Sequence, residues 1–303
     1  MSPKPIITIK HFFLLLTISM VLIATLFLLS LFDTHSKIVF CDVGQGDAAY
    51  IRVHNRIDIL IDAGPDNSVL ECLGRHMPFW DKTIEYSFIS HPQKDHYGGY
   101  SAVLDHYTVK NLYAVALDNE KYEFAKQITL YKKKGVRVQY IQQGNTLSVL
   151  SDTLTVLWPT QTFITENSYV PEQSVLGAST LDANDFSEML LFSEGKIKVL
   201  FSGDISPKIL QTFIDYDNKI VADIKNVSIL KVPHHGSKNG LIVSFLSLAK
   251  PTHAVISVGK RNRFGHPSKE VLDMLHALHV PYSRTDRDGD VVFVIDDGKI
   301  KKK

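Results

Sequence analysis

The chain has 303 residues and a formal net charge of +1, long for one domain without clearly demanding two. A charge so near zero excludes a global field drawing the protein to nucleic acid or acidic surfaces, so any phosphate binding must come from local clusters. Two cysteines, Cys41 and Cys72, are too few for a disulfide framework and lack zinc-ligand spacing; both are read as buried core thiols.

The first element is apolar. From His11 to Phe32, HFFLLLTISMVLIATLFLLSLF, there is no Asp, Glu, Lys or Arg. Roughly twenty such residues at about 1.5 Å each span a hydrocarbon core. The competing reading is a cleaved secretory signal, whose apolar stretch is shorter, about 7–15 residues, and ends in a small-residue cleavage site. Thr34 and Ser36 make a poor site, so the expectation is one uncleaved transmembrane helix. Residues 1–36 are then a cytoplasmic tail and anchor, and 37–303 the folded domain. Lys4 and Lys10 precede the span and only Lys37 closely follows it, which puts the N-terminus in the cytoplasm and the domain outside the cell membrane.

Beyond Ser36 the pattern is α/β. KIVFCDV, DAAYIRV and IDILIDAG are short β-rich runs broken by Gly and Asp. A helix is predicted over 66–77, then the strand TIEYSFIS, helices over 97–106 and 119–134 with the strand VRVQYI after them, and TLTVLW. Residues 159–186 read as a polar loop. EMLLFSEGKIKVLFSGD reads as two strands around a Glu-Gly turn. VSILKVPHHGS, THAVISVG and DVVFVID are further strands, with helices near 206–215, 240–248 and 267–279. The final KKK is a solvated tail. No internal repeat or low-complexity tract is present.

The chemistry-bearing residues fall at strand ends, where α/β proteins gather their sites. In SHPQKDHYGG, His91, Asp95 and His96 surround one turn, and imidazole with carboxylate is a natural ligand set for a divalent metal. The plain alternative is a helix cap. Gly98 and Gly99 allow close backbone approach under either reading. SGD places Asp204 after an apolar strand. HHGS places His234 and His235 at another strand end; neighbouring strand residues point oppositely, so one is expected to meet the metal and the other to orient or touch substrate. FGHP adds His266.

These motifs, with DVGQGDA, IDAG, ISVGKRNRFGHP and RTDRDGD, occur in an order that resembles the extracytoplasmic hydrolase domain of ComEC-type DNA-uptake (competence) proteins, of the metallo-β-lactamase-fold superfamily. The resemblance covers about 37–297. It implies an αββα sandwich with a dinuclear metal site at one edge. By resemblance, His91 belongs to the first metal position and Asp95 and His96 to the second; Asp204 is the bridging carboxylate, and His234 or His235 the late ligand. Asp95, Asp204, His234, His235 and His266 form the catalytic set. Asp62 is expected to hold a ligand imidazole by its far nitrogen. Asp42 and Asp47 flank a glycine turn that is either near the site or purely structural. The resemblance does not extend to the many-helix channel region of a full competence protein, and with one span the chain is not expected to be itself a DNA pore.

Two departures from the family pattern stand out. ComEC-type domains commonly carry an acid where this chain has Gln93, a weaker ligand than carboxylate or imidazole. Nor is there any histidine between His106 and His234 to complete the first position. Asn184, Asp185 and Ser187 offer oxygens instead. The cofactor is expected to be one or two divalent ions, zinc or manganese, with the first position the weaker.

The substrate reading rests on charge. Lys231, Lys238, Lys260, Arg261 and Arg263 lie in or beside the metal-side motifs, and Ser237, Lys238, Lys260, Arg263 and His266 are expected to contact a phosphate-bearing substrate, with Phe264 placed to stack a base. The favoured function is a phosphodiesterase or nuclease on DNA. The alternatives are hydrolysis of another phosphorylated or acyl substrate, such as a cell-wall polymer, and a non-catalytic module with a degenerate site. Apart from the membrane and such a substrate, no protein partner is inferable.

Overall fold

The computed structural model describes residues 8–31, 34–119, 123–171, 176–216 and 218–303, the side chains of 26–31, 216, 218 and 219 excepted. The stretch expected to be a cytoplasmic tail, with Lys4, Phe32 at the end of the apolar run, and residues 120–122 of the helix expected over 119–134 lie outside them.

Fifteen strands are named in chain order: β1 Ser36–Phe40, β2 Ala49–Val53, β3 Ile57–Ile61, β4 Thr83–Ile89, β5 Thr108–Ala114, β6 Arg137–Tyr140, β7 Thr146–Val149, β8 Asp152–Trp158, β9 Met189–Glu194, β10 Ile197–Phe201, β11 Ile229–Lys231, β12 His253–Ile256, β13 Tyr282–Arg284, β14 Val291–Asp296 and β15 Lys299–Lys302. They form two sheets, an 8-stranded one in the order β15-β14-β1-β2-β3-β4-β5-β6 and a 7-stranded one in the order β13-β12-β11-β10-β9-β8-β7. Each sheet mixes antiparallel hairpins with parallel strands joined through helices, as chain reversals of these two lengths require.

The helices are α1 Ile9–Leu31, α2 Val69–His76, α3 Lys94–Tyr97, α4 Tyr100–His106, α5 Glu123–Lys133, α6 Gln161–Asn167, α7 Pro207–Tyr216, α8 Asn218–Asp223, α9 Val243–Ala249, α10 Lys269–Ala277 and α11 Thr285–Asp288. Three apolar layers hold the sandwich. Phe40, Ile51, Phe88, Phe192, Phe201 and Phe293 fill the space between the sheets. α2, α4 and α5 cover the outer face of the first sheet through Val69, Leu73, Val103 and Phe124. α7, α9 and α10 cover the second through Leu210, Phe245 and Leu275. This is the αββα layering.

Three expectations change. The polar stretch 159–186 holds α6, capped where the Thr160 hydroxyl accepts the Phe163 N–H, and a 3₁₀ turn at Ala183–Phe186. Cys41 and Cys72 are not free thiols but a disulfide. The extended end of β1 and the buried face of α2 bring their Cα atoms to 5.7 Å, the separation a bridge needs, and that proximity is tertiary. Third, counted over the residues with described side chains, which take in α1 only as far as Thr25, no helix is long and apolar enough to cross a membrane. The α1 backbone continues helical for 23 residues in all.

Candidate metal centre

Five strand ends converge at one edge of the sandwich. The residue after β3 is Asp62, held in a left-handed conformation with φ 58° that a non-glycine adopts only when its surroundings enforce it. They do: its N–H donates to Phe88 O at 2.8 Å, and its carboxylate accepts from Ser90 N–H and Ser90 Oγ, both at 2.8 Å. Its remaining contact is His96 Nδ1 at 2.8 Å. That bond fixes the His96 ring and turns Nε2 toward Asp204 Oδ1, 3.4 Å away. Just after β4, His91 lies beside His96 with ring centroids 4.1 Å apart. The turn packs so closely on 63–66 that a side chain at Gly99 would collide with Ala63 O, which is what the paired glycines provide.

After β10, Gly203 (φ 48°) leads into Asp204, whose N–H donates to Ser187 Oγ at 3.0 Å. After β11 the chain makes a tight turn in which both His234 and His235 have φ 53°. Neither is a strand residue, so alternation does not decide between them; the turn does. His235 is buried and reaches Asp204 Oδ2 at 3.3 Å and Asp95 Oδ2 at 3.4 Å through Nε2. Its Nδ1–H donates to Ser257 O at 3.0 Å, since a carbonyl can only accept. His234 faces outward, 3.9 Å from Asp204 Oδ2, near His266. Gly236 is required here: a Cβ would come within 2.6 Å of Pro267 Cβ.

Donor atoms of Asp47, His96, Asp204 and His235 all lie within 4.8 Å of one another. Asp47, expected at most beside the ligands, is inside this group. It approaches the Nδ1 side of both rings, at 3.9 Å and 3.6 Å, and pairs with the Lys231 ammonium. Asp42 keeps to its own glycine turn, its N–H bonded to Asp290. Asp185 accepts the Ser206 hydroxyl, away from the cluster. Asn184 is buried with its Oδ1 unpartnered. Gln93 precedes α3, and its amide favours charge on the His91 ring.

Two substrate expectations are corrected. Lys231 is not a surface cation: it is buried, donates to Gly203 O at 2.8 Å and pairs with Asp47 and Asp204. Ser237 is buried and its hydroxyl accepts the Asn239 N–H. Lys238, Lys260, Arg261, Arg263 and Phe264 are exposed on the rim, with the Phe264 ring stacked on His266 at 5.6 Å. On the other side, an open cleft of about 690 Å³ beside Gln93 and Asp95 is lined by Asp118, Glu123 and Asp182, with Lys94.

Charge is shared unevenly. Burial, with His96 alongside, pushes His91 down to about 3, so it is neutral. Burial opposes charge on Asp204, yet His235, His96 and Lys231 hold it well below the carboxylate range. Burial likewise opposes charge on His96 and His235, but Asp204 with Asp62 raises the first, and Asp204 with Asp47 raises the second to about 10. The carboxylates thus concentrate positive charge at this point. Nε2 of His91, His96 and His235 is buried with no hydrogen-bond partner. Three orphaned imidazole nitrogens around a carboxylate are what a divalent cation fits. Sequence reading missed Ser90 and Ser257 and gave Lys231 the wrong role. The signal for Lys231 was a lone charge inside the apolar run ILKVP.

The layering and this edge cluster define the αββα class of metal-dependent hydrolases. A metallo-β-lactamase superfamily family model matches residues 41–260, and the chain belongs to that superfamily. It is 26% identical to ComE operon protein 3 of Bacillus subtilis over 285 residues, 88% of this chain and 34% of that protein. It is 27% identical to Recombination protein 2 of Haemophilus influenzae over 256 residues, 82% of this chain and 28% of that protein. The chain therefore spans about a third of the length of these relatives. Among solved structures, Zn²⁺-bound PqqB from Methylobacterium extorquens superposes with a TM-score of 0.54 at 10% identity, over 86% of this chain and 99% of that one, a likeness of fold.

Proposed function

We propose that this hydrolase is a metal-dependent phosphodiesterase acting on DNA in a competence-like role, anchored by its N-terminal helix with residues 37–303 outside the cytoplasm. The observation that carries the reading is the buried His/Asp cluster opening beneath an exposed cationic rim, Lys238, Lys260 and Arg263. The name of the Haemophilus influenzae relative, Recombination protein 2, supports the DNA role. The disulfide supports an oxidising compartment. α1 supports the anchor: its described leucines and phenylalanines are all exposed, and an all-round apolar helix without protein packing calls for lipid.

In this assignment Asp95, His96, Asp204 and His235 would hold one ion, zinc or manganese, and His91, Gln93 and Asp204 would hold a second. When bound, such ions activate water and screen phosphoryl charge. The rest falls to the chain. Asp62 and Ser257 O lock the His96 and His235 tautomers. Lys231 and Ser187 fix Asp204. Lys238, Lys260 and Arg263 orient a phosphate on the rim. His234, more open to solvent than the buried His235, faces the same side as His266; in its imidazolium form it would give its proton to the leaving oxygen and be left neutral.

A second reading has its own observation. The acidic lining of the neighbouring cleft repels a polyanion, which favours a smaller phosphorylated or acyl substrate. The test is one panel: full-length protein in detergent with Mn²⁺, Mg²⁺ or Zn²⁺ on single- and double-stranded DNA, a generic phosphodiester and a generic ester. Cleavage of DNA confined to the metal-supplemented arms is expected. Turnover of the small esters alone would select the second reading. Protease access to the domain in intact spheroplasts, with the protein in the membrane fraction, tests the anchor.

A further inference from the structure

At the end of the sandwich opposite the metal centre, another cluster has no role in the function above. His54 follows β2, Asp152 opens β8 and Glu194 closes β9, and the strand pairings Val53↔Ile57, Thr153↔Ser193 and Glu194↔Ile197 put all three at the same end. We propose that His54, Asp152 and Glu194 form a divalent-cation site that clips the two sheets together where the chain enters the domain.

Donor atoms of the three residues lie within 4.8 Å of one another. His54 Nδ1–H donates to Thr34 O at 2.9 Å. The ring's other nitrogen, Nε2, is thereby aimed inward, the arrangement of a metal-bound histidine whose far N–H grips a carbonyl. Nε2 lies 2.8 Å from Asp152 Oδ2 and 3.2 Å from Ser151 Oγ. The approach to Asp152 is close but not aligned as a hydrogen bond, for Asp152 Oδ2 is buried without a partner, and so is Glu194 Oε2. A simple imidazolium–carboxylate pair would align. Two atoms on one ion instead sit about 3 Å apart without pointing at each other, as bonds of about 2.0–2.2 Å require. Asp152 is 4% exposed, so the orphaned oxygen has no recourse to water. Burial raises Asp152 and Glu194 above their ordinary carboxylate range, and Asp152 adds to the effect on Glu194, the cost of crowding two acids that a cation would remove. His54 belongs to the first sheet, Asp152 and Glu194 to the second, and Thr34 is the last step from α1. One ion would join all four segments.

The experiment uses the full-length chain and zinc alone. Bound zinc is counted by elemental analysis after equilibrium dialysis, and melting temperature is followed with and without the metal, in the parent, Glu194→Gln, Asp152→Asn and Asp204→Asn. We expect Glu194→Gln and Asp152→Asn each to bind one zinc fewer than the parent, with unchanged hydrolysis. Asp204→Asn should keep one zinc and a zinc-dependent rise in melting temperature. Equal zinc content in Glu194→Gln and the parent overturns the site. So does an Asp204→Asn protein that retains none at zinc levels saturating the parent, an outcome that decides the matter even if Glu194→Gln and Asp152→Asn fail to fold.

Discussion

The two halves of the metal centre are built to different standards. On the side of His96 and His235, three of the four donors are held from behind: His96 by Asp62, His235 by Ser257 O, Asp204 by Ser187 and Lys231. On the side of His91, the ring leans on the Ser90 hydroxyl at 3.1 Å, which is already donating to Asp62, and its other neighbour is the neutral amide of Gln93. The difference teaches that ligand identity is only part of affinity. Buried charge behind a ligand raises its basicity and fixes its direction, and here that support is concentrated on one half.

The largest effect should come from the residue both halves share. Asp204→Asn keeps the shape but removes the charge that His96, His235 and Lys231 surround. Hydrolysis should fall by about 10⁴-fold, the scale for losing one member of a catalytic unit, with the circular dichroism spectrum unchanged. A variant within a few-fold of the parent under limiting metal ends the assignment of this edge as the catalytic centre.

Next is the support of the stronger half. Asp62→Asn leaves His96 in place but replaces an anionic acceptor by an amide. Metal affinity should drop about 10–100-fold, the usual consequence of losing such a partner, and excess metal should restore the rate. Failure of rescue at any metal concentration means Asp62 serves the strained turn after β3 rather than the His96 ring.

The comparison also shows what a sequence can disclose. The strand-end motifs named the carboxylates and imidazoles because each lies within a few residues of a turn, and turn chemistry is local. The same locality gave the hairpin β9–β10 and most helices. What stayed hidden depends on distant segments. Cys41 and Cys72 are 31 residues apart, and only the docking of α2 on β1 pairs them. His234 and His235 are equivalent by composition; two consecutive left-handed residues decide which turns inward. Lys231 counted as rim charge because its strand's neighbours were not known. Burial on both faces is a property of the sandwich, not of ILKVP.

Glu188, between the halves, sharpens the contrast. It is fully buried, neither carboxyl oxygen has a hydrogen-bond partner, and burial, with Asp62 nearby, raises it well above its ordinary range. It borders a void of about 10 Å³ shared with Asp47, Asp62 and Lys231. If neither half uses it, Glu188→Leu removes an unsatisfied group and should stabilise the protein by about 1–3 kcal/mol while metal titrations stay the same. A destabilised variant with weakened metal binding would show that its charge or its proton belongs to the Asp62–His96 support.

The smallest and most discriminating effect concerns Gln93. Its amide offers neither the charge of a carboxylate nor the basicity of imidazole, and the mid-chain stretch supplies no histidine to compensate. Titration in a Glu194→Gln background, which lacks the site at His54, should therefore resolve one tight and one loose ion at the metal centre, with activity following the loose one if both are needed. Gln93→Asp places an anion beside His91 without disturbing Asp62, Ser257 or Lys231. The loose site should tighten by about ten-fold, on the scale of one ligand's change in charge and softness, and the metal concentration for half-maximal rate should fall with it. The tight ion should not respond, because none of its supports has changed. Gln93 is only partly buried and lines the open cleft, so the competing account is that its amide faces substrate. That account predicts the opposite pattern: metal dependence identical in parent and variant, with the change confined to KM. Equal affinity for two ions at the metal centre would remove the asymmetry itself, and with it the claim that support from behind the ligands sets the order of binding.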